Sequence, residues 1–221
     1  MTYYEFKNIA PEDIEDLILK VEESFDIKID KNDSVNTIGQ LSDLIINKIK
    51  CENREDCTTQ QAFYKIREAI SDILKIEKRS ITPKTLLTNL FPKETRRIQL
   101  KELENQLDFR FNITRPNYWV SNILFLGLLG SFIGLFFVKN FALLGIVFFI
   151  FALWYAYRMG IEFEINTLGQ FSEKMTREHY LASRRDPKTY NKNEIESILI
   201  EWFVSDLNID KNKITRDTKF E

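Results

Sequence analysis

A run of almost entirely uncharged residues in the middle of the chain places the strongest constraint on its fold. Between Trp119 and Tyr157 the one charged side chain is Lys139, although charged residues make up 29% of the 221-residue sequence. An apolar run of this length is typical of a membrane-embedded segment. The sequence therefore excludes a wholly water-soluble fold.

The run divides into two predicted membrane-spanning helices. Residues 119–138 are uncharged and would form about 30 Å of helix, the thickness of a bilayer core. Residues 141–157 are near the lower length limit for a span, and Lys139 and Asn140 would form a tight turn between the two helices. The sequence therefore predicts a transmembrane helical hairpin over residues 117–158.

Basic residues on both sides of the hairpin predict its orientation. The flanking residues are Lys93, Arg96, Arg97, Lys101, Arg110, Arg115, Arg158, Lys174, Arg177, Arg184 and Arg185. Because basic flanks remain in the cytoplasm, both termini should be cytoplasmic, in a two-span protein of the inner or plasma membrane. The acidic segment from Met1 to Asp26 has no apolar region of a secretory signal, which agrees with this orientation.

Glycines in the first predicted span suggest how it packs. Gly127, Gly130 and Gly134 lie on roughly one face, and the last two have the G-x-x-x-G spacing that allows close approach of helices. We expect this face to pack against the second span, where Ala142 and Gly145 are also small. Homodimerisation through the same face is the alternative.

The soluble parts contain no recognisable catalytic, metal-binding or cofactor-binding motif. Gly-rich phosphate loops, metalloprotease motifs and nucleophile elbows do not occur, and the single histidine, His179, lies among charged residues. Cys51 and Cys57 lack the spacing of a zinc site, so we expect two reduced cytosolic thiols. These observations predict a protein that is not an enzyme and holds no metal ion.

Three segments of the chain occur twice. The matching pairs are residues 74–85 with 207–218, residues 36–45 with 166–175 and, more weakly, residues 21–29 with 103–111. In the first pair LKIEKRSITPKT aligns with LNIDKNKITRDT, and in the second NTIGQLSDLI aligns with NTLGQFSEKM. The second pair carries a Thr that can cap the following helix. Such self-similarity indicates a duplicated structural unit.

These repeats resemble the acyl carrier protein family, whose fold is a four-helix bundle. In that family a first helix and an I-T-x-x-T loop lead to an acidic second helix ending in E-x-x-F-D-I-x-I, and a T-V-G-x-L-type fourth helix closes the bundle. The second-helix signature is residues 11–29, the fourth-helix signature is residues 36–49, and the first-helix signature occurs at residues 63–85 and 194–220. The resemblance implies an all-α fold of two carrier-like helical bundles plus the two-helix transmembrane hairpin.

The order of the repeats implies one permuted bundle and one interrupted bundle. Residues 1–58 would supply the second to fourth helices of the first bundle, and residues 191–221 would return to complete it with the first helix. Residues 59–113 would supply the first and second helices of the other bundle, and residues 160–190 its fourth helix. The hairpin would be inserted between these last two parts.

The chain departs from the carrier family at the residue that holds the family's cofactor. Carrier proteins attach phosphopantetheine to a serine at the start of the second helix, where this sequence has Pro11 and Lys93. Asp33-Ser34-Val35 looks like the modified D-S-L motif, but it follows Phe25 and is expected to be a turn. The resemblance therefore implies the carrier fold and its docking surface, with no cofactor.

Two predicted helices of opposite charge are candidate docking surfaces. The helix from Pro11 is acidic, and in the carrier family such a helix is recognised by basic partner enzymes. Its basic counterpart is expected to contact anionic membrane lipid or an acidic carrier-protein helix. Nucleic acid is not an expected partner, because the pI is about 5.7. The candidate docking residues are Glu12, Asp13, Asp16, Glu22, Glu23, Lys93, Arg96, Arg97 and Lys101.

Two segments beside the hairpin have the alternation of β-strands. Residues 108–113 precede the hairpin and residues 161–165 follow it. If they pair at the hairpin base, Arg110 would lie near Glu162 or Glu164. Continuation of the second span as helix into Ile161 is the alternative.

Together these features predict a membrane-anchored, non-catalytic scaffold or docking adaptor. The resemblance implies fatty-acyl, polyketide or lipid-related enzymes as clients, with acyl carrier proteins or acyl-transfer enzymes as partners. The alternatives are a genuine phosphopantetheine carrier, if the chain is a fragment, and an auxiliary subunit of a membrane lipid-modifying enzyme.

Overall fold

The protein is mainly helical, as predicted, in a computed structural model that describes residues 9–30, 33 and 35–220. The described residues form ten α-helices and four strands of two residues each. Two compact units divide the chain: a terminal unit of Met1–Ala69 with Gly169–Glu221, and a central unit of Ile70–Leu168.

Helices and short strands are interspersed along the chain. The helices are α1 (Pro11–Phe25), α2 (Ile38–Lys48), α3 (Thr58–Leu74), α4 (Leu87–Leu90), α5 (Arg96–Leu107), α6 (Tyr118–Gly134), α7 (Lys139–Arg158), α8 (Leu168–Glu178), α9 (Tyr180–Ser183) and α10 (Lys192–Asp206). The strands are β1 (Glu52–Asn53), β2 (Thr114–Arg115), β3 (Glu162–Phe163) and β4 (Thr189–Tyr190). Short 3₁₀ turns at Lys78–Ser80 and Lys211–Lys213 follow α3 and α10.

Helices α1, α2 and α10 share the hydrophobic core of the terminal unit. Trp202 on α10 is 1% exposed, and Phe203 beside it is fully buried. These residues lie in one cluster with Leu17, Val21, Phe25, Ile38, Leu41, Ile45, Ile195, Ile198 and Leu199. The apolar stripe of α10 is therefore buried against the two N-terminal helices within the same chain.

Local sequence explains where the first two helices begin and end. Proline is favoured at the first helical position of α1, and Glu12 and Asp13 complement the helix dipole. Asp26 then ends α1 in the left-handed conformation. The hydroxyl of Thr37 accepts a hydrogen bond from the backbone N–H of Gln40 at 3.2 Å, which confirms the predicted threonine cap of α2.

In the central unit, strands β2 and β3 join the two ends of the apolar hairpin. Thr114 lies opposite Phe163, and Arg115 lies opposite Glu162 in an antiparallel pair. Strand pairing at the hairpin base is therefore confirmed for residues 161–165, but the prediction of a strand at residues 108–113 is wrong: the partner strand is Thr114–Arg115, and Arg115 lies opposite Glu162. Asp108, with φ of 61°, ends α5 in the left-handed conformation, residues 109–113 are irregular, and the strand begins at Thr114.

The apolar hairpin consists of α6 and α7, whose contacts run in opposite directions. Gly127 faces Phe149, Ser131 faces Gly145, and Gly134 faces Ala142. As the residue number rises along α6, the number of the contacting residue on α7 falls by the same amount. The two helices therefore pack antiparallel. Gly130 has open space at its Cα, so the G-x-x-x-G pair does not act as one packing face within the chain.

The predicted bounds of the two spans need correction. Helix α6 ends at Gly134 rather than residue 138, and residues 135–138 form the turn that was expected at Lys139 and Asn140. Among the described helices, α7 has 20 residues and a mean hydropathy of 1.9, which is long and apolar enough to cross a membrane. The apolar helix α6 is shorter, with 17 residues.

The two copies of the longest sequence repeat form the same turn, at residues 82–85 and 215–218, which we call the corner. The hydroxyl of Thr85 accepts from the N–H of Thr82 at 2.9 Å, and Thr218 accepts from Thr215 at the same distance. Each corner then meets the helix that begins with the second repeat. The carbonyl of Thr85 accepts from Leu168 N–H at 3.0 Å, and that of Thr218 accepts from Ile38 N–H at 3.2 Å.

The helix ends of the repeats also correspond. The left-handed residues that end the repeated helices are Asp26, Lys75, Asp108 and Asn208. After α1 and α5, a glutamate one turn before the helix end accepts a hydrogen bond from the chain that leaves it. These bonds join Glu22 to Ile29 N–H and Glu104 to Phe111 N–H. The weak third match in sequence thus has a counterpart in local structure.

Candidate docking surfaces and the hairpin base

The predicted acidic docking surface lies along helix α1. Glu12, Asp13, Asp16 and Glu23 are exposed on this helix. Glu22 is half-buried, and its carboxylate accepts the backbone hydrogen bond that holds Ile29. Four of the five acidic candidates therefore present their charge to solvent, whereas Glu22 also supports the fold.

A groove beside this acidic surface is lined by two of its carboxylates and by that of Asp206 on α10. The groove has a volume of about 340 Å³ and is lined by Asp13, Asp16 and Lys20 of α1 and by the residues that end α10, Asp206 to Asn208. The ammonium of Lys20 lies 2.7 Å from the Asp206 carboxylate, so one of the three acids is neutralised. The remaining negative charge suits a basic side chain of a partner.

The structure removes Arg96 from the predicted docking residues. This arginine is 2% exposed, and its Nε donates to the carbonyl of Phe91 at 2.9 Å. Its Nη1 donates to the carbonyl of Ile161, and its guanidinium stacks over the ring of Phe163 at 4.3 Å. Desolvation lowers the pKa of Arg96 from its ordinary value. Arg96 therefore joins α5 to the hairpin base and has no free surface to offer a partner.

The other basic candidates are exposed but differ in their partners. The ammonium of Lys93 lies 2.6 Å from the carboxylate of Glu162 on β3. Arg97 and Lys101 are exposed one turn apart on α5. The sign of this surface is opposite to that of α1, as the sequence indicates.

The positions that hold phosphopantetheine in carrier proteins have different chemistry here. Pro11 is the first residue of α1, and Lys93 is engaged with Glu162. Neither side chain has a hydroxyl that could form a phosphodiester. Asp33, in the sequence that looks like the modified motif, accepts from Lys48 at 2.6 Å; the adjacent Ser34 lies outside the described residues.

A buried polar network around Arg184 was not predicted from the sequence. Arg184 is fully buried in the terminal unit, where its Nη1 donates to the Thr58 hydroxyl at 2.6 Å and its Nε to the Thr189 hydroxyl at 2.9 Å. It also donates to the carbonyls of Arg54 and Asp56. The sequence predicts Arg184 as part of the basic flanks of the hairpin, because its partners at residues 54–58 are far along the chain and give no local signal.

The start of α3 completes this network. Glu194 of α10 accepts from the backbone N–H of Thr58 at 3.0 Å and from its hydroxyl at 2.6 Å. A carboxylate at a helix N-terminus satisfies free N–H groups and interacts favourably with the helix dipole. The network therefore has a structural function, which is to hold the segment before α3 against α10.

A shallow polar cavity of about 250 Å³ lies next to the network. Its lining includes Cys57, Tyr64 and Arg185. Cys51 and Cys57 are both free thiols, and burial raises the pKa of Cys51. Within the described part of the chain, no group of histidine, cysteine and carboxylate residues is arranged to hold a metal ion.

Comparison with known proteins gives no relative from which a function could be transferred. Neither a protein-family model, nor a curated protein, nor a solved structure matches this chain. The function is therefore argued from the residues and their geometry.

Proposed function

We propose that the protein is a membrane-anchored, non-catalytic docking scaffold. Its apolar hairpin crosses the bilayer twice, and its helical units lie on the cytoplasmic side with both termini. The acidic surface of α1 binds basic partner proteins. The observation that carries this proposal is the apolar hairpin, whose large side chains have no cover within the described chain.

The exposed apolar area of the hairpin supports insertion in lipid. Phe136 and Phe137 at its tip are 87% and 82% exposed. Large exposed apolar side chains also occur along both helices, including Ile123, Leu126, Ile133, Phe141, Leu144, Val147, Phe148 and Phe151. Water-soluble proteins rarely expose apolar patches of more than a few hundred Å². Lipid would cover these side chains.

The length of the hairpin supports two crossings. The 17 residues of α6 make roughly 26 Å of helix. The apolar turn at residues 135–138 extends this length toward the roughly 30 Å of a bilayer core. Helix α7 has 20 residues, so the two helices differ little in reach.

The polar end of the hairpin supports placement of its base at the membrane surface. Tyr118 and Trp119 begin α6, and Tyr155 and Tyr157 lie near the end of α7. Arg158 stacks over the ring of Trp154 at 5.8 Å. Aromatic and basic side chains are enriched at membrane–water interfaces, and basic flanks favour the cytoplasmic side.

The resemblance to carrier proteins supports the class of partner. An exposed acidic helix is the surface that basic acyl-transfer enzymes recognise in that family, and α1 presents five exposed carboxylates, those of Glu12, Asp13, Glu15, Asp16 and Glu23. The scaffold would therefore hold fatty-acyl, polyketide or lipid-related enzymes at the membrane. Pro11 and Lys93 argue against thioester carriage, so docking is the part of the carrier function that we retain.

Site-directed labelling tests the topology. In a chain with Cys51 and Cys57 replaced by serine, single cysteines are introduced as Asn140→Cys at the start of α7 and Asn212→Cys near the C-terminal end. We expect a membrane-impermeant reagent applied from outside to label position 140 and to leave position 212 unmodified in intact cells. The reverse pattern, or extraction of the protein from membranes by alkaline carbonate, would contradict the proposal.

Photo-crosslinking tests the docking surface. A photoreactive amino acid at Leu19, which is exposed on α1, should capture a fatty-acyl or lipid enzyme in native membranes. The double variant Asp13→Lys/Asp16→Lys should abolish capture. The matched control Glu55→Lys/Asp217→Lys changes two other exposed carboxylates of the terminal unit and should preserve it.

Intact-mass analysis tests the absence of thioester carriage. Incubation with coenzyme A and a broad-specificity phosphopantetheinyl transferase should leave the mass unchanged. A stoichiometric adduct on any serine, Ser34 included, would favour the genuine carrier instead.

A further inference from the structure

The start of α5 is tied to the hairpin base by direct contacts within the central unit. Arg96 donates to the carbonyl of Ile161, and Lys93 forms an ion pair with Glu162. The rings of Phe91 and Phe163 lie 6.3 Å apart. These contacts are with residues 161–163, which follow α7 directly. The first turn of α5 is therefore held at the level where the hairpin ends.

Exposed cations collect at this level. We define the basic collar as the exposed residues Lys93, Arg97, Arg115 and Arg158. Arg158 is the last residue of α7, and Arg115 is the last residue of the strand before α6. Both therefore lie within a few residues of the membrane-facing helices, at the depth of the lipid headgroups if the hairpin is inserted.

The collar has more positive charge than its own carboxylates neutralise. With the buried Arg96 there are five cations, and the acids that act on Arg96 are Glu162 and Glu94. The hydrogen bond from Lys93, with further attraction from Arg96 and Arg115, lowers the pKa of Glu162. That carboxylate is consequently charged at neutral pH and is already occupied by Lys93. Arg97, Arg115 and Arg158 retain charge that an external anion can meet.

We propose that the basic collar binds the anionic headgroups of lipids in the leaflet that the hairpin base enters. This inference rests on the proposed insertion of the hairpin. Arginine donors match phosphate oxygens in geometry and charge. Lipid is favoured over an acidic protein helix because the collar adjoins both ends of the hairpin, where a protein would have to displace headgroups to reach it.

Energy transfer in liposomes tests the collar with the intact protein. Trp119 and Trp154 lie near the hairpin base and can donate to dansyl groups on lipid headgroups, whereas the buried Trp202 contributes the same background in every variant. The full-length protein is reconstituted into phosphatidylcholine vesicles containing trace dansyl-labelled phosphatidylglycerol or dansyl-labelled phosphatidylcholine. The ratio of the two transfer signals measures enrichment of the anionic lipid around the base.

We expect enrichment of the anionic probe that falls roughly fivefold for each cation removed at low salt. Enrichment should also weaken near 1 M salt, where the screening length is about 3 Å. The collar variant Arg97→Gln/Arg115→Gln/Arg158→Gln should lose it. The charge-preserving variant with lysine at the same three positions should keep most of it. The matched control Lys192→Gln/Lys213→Gln/Lys219→Gln removes three exposed lysines of the terminal unit and should leave it unchanged.

The outcomes separate this inference from the proposed function. If the hairpin inserts but the protein shows equal transfer to both probes, the collar does not bind anionic lipid and the inference is overturned alone. If the glutamine and control variants lose enrichment equally, net charge rather than the collar is responsible, which also overturns it. If the protein is released from membranes by carbonate, both the inference and the membrane anchor fail. The single variant Arg97→Gln, on an exposed helix surface, provides a smaller change if the triple variant does not fold.

Discussion

The two copies of the repeat differ most in the length of one connection. In the first copy this connection runs from α1 to α2, and in the second copy it runs from α5 to α8. In the first copy, residues 30–35 separate Ile29 from Asn36; in the second, residues 112–165 separate Phe111 from Asn166. The bonds at the two ends of the connection are nevertheless alike. At the start of each connection, a glutamate of the helix accepts a hydrogen bond from a backbone N–H just after the helix. At the end of each connection, the carbonyl of an asparagine accepts a hydrogen bond from a backbone N–H two residues after the corner.

The hydrogen bonds at the two ends are therefore the same for a short and a long connection. The carbonyls of Asn36 and Asn166 accept from Phe220 and Leu87 at 3.0 and 2.9 Å. The entropy cost of closing a loop grows only slowly with its length. In the long connection, pairing of β2 with β3 brings the two ends together before the hairpin departs. An apolar helical hairpin can therefore take the place of a short loop while the same contacts form at its two ends.

Removal of the hairpin is the strongest test of this comparison. Because Arg115 lies opposite Glu162 in the antiparallel pair, a two-residue Asn-Gly turn can replace residues 116–161. We expect this shortened protein to leave the membrane fraction completely and to remain soluble and helical, with cooperative unfolding by circular dichroism. The full-length chain in detergent is the reference. An aggregated or unfolded product would show that the hairpin is needed for the corner to form.

The second prediction concerns the cores, where the copies have diverged. In the alignment of the first-helix repeats, Trp202 of α10 corresponds to Ala69 of α3, although both positions are buried. Trp202→Ala would give the first copy the residue found in the second. It should nevertheless cost about 3–5 kcal/mol, because the surrounding core of the terminal unit cannot fill the cavity.

Hydrogen exchange of residues 14–49 measures this effect, since α1 and α2 share the core with α10. Their protection should fall in Trp202→Ala, and deletion from Glu194 onward should remove it. Leu19→Ala, at a position that is 60% exposed on α1, is the control and should change little. Unchanged protection after the deletion would mean that α10 does not support the N-terminal helices. Crosslinking of mixed isotopic forms distinguishes packing within one chain from exchange between two.

Apart from the return of the C-terminal helix to the N-terminal helices, which the repeats indicated, the features that the sequence predicted were those encoded by neighbouring residues. The apolar run indicates the hairpin helices, the threonine before α2 indicates its cap, and the alternation at residues 161–165 indicates a strand at the hairpin base. Each signal depends on residues within a few positions of one another. The turn of the hairpin was misplaced because Lys139, the residue used to locate it, is compatible with a helix start as well as a turn.

The buried arginines could not be found in this way. Arg96 and Arg97 are adjacent and chemically identical, yet the first is buried beneath the hairpin base and the second is exposed. What distinguishes them is the carbonyl of Ile161 and the ring of Phe163, which lie far along the chain. Arg184 likewise depends on residues 54–58. Both buried arginines are held partly by such distant acceptors, so composition and charge alone assign them to the surface.

A smaller effect is expected from the hydroxyl that closes each corner. Thr218 is 1% exposed whereas its counterpart Thr85 is half-buried, although both accept the same bond from the residue three positions earlier. Replacement of either threonine by valine removes the hydroxyl acceptor, so the backbone N–H of Thr82 or Thr215 loses this hydrogen bond. The cost should be about 1–3 kcal/mol for Thr218→Val and smaller for Thr85→Val, because water can reach the freed N–H at Thr82 more easily. Urea unfolding of the two variants measures the difference, and equal losses would mean that burial does not distinguish the corners.

The smallest expected effect concerns an ion pair at each connection. Hydrogen bonding from Lys48 lowers the pKa of Asp33, and hydrogen bonding from Lys93 lowers the pKa of Glu162. A carboxyl group whose pKa is lower in the folded state stabilises the protein above its unfolded pKa, and this contribution is lost as the pH falls through the folded pKa. The stabilisation from both pairs should therefore be fully present above about pH 4 and should be lost as the pH falls further. Because these ion pairs are solvent-accessible, their contribution to the free energy of unfolding should be small and screened by salt.

NMR titration of the two carboxyl groups provides the measurement. Lys93→Met should raise the pKa of Glu162 without affecting Asp33, and Lys48→Met should do the reverse; if either substitution moved both groups, the two connections would not be electrostatically independent.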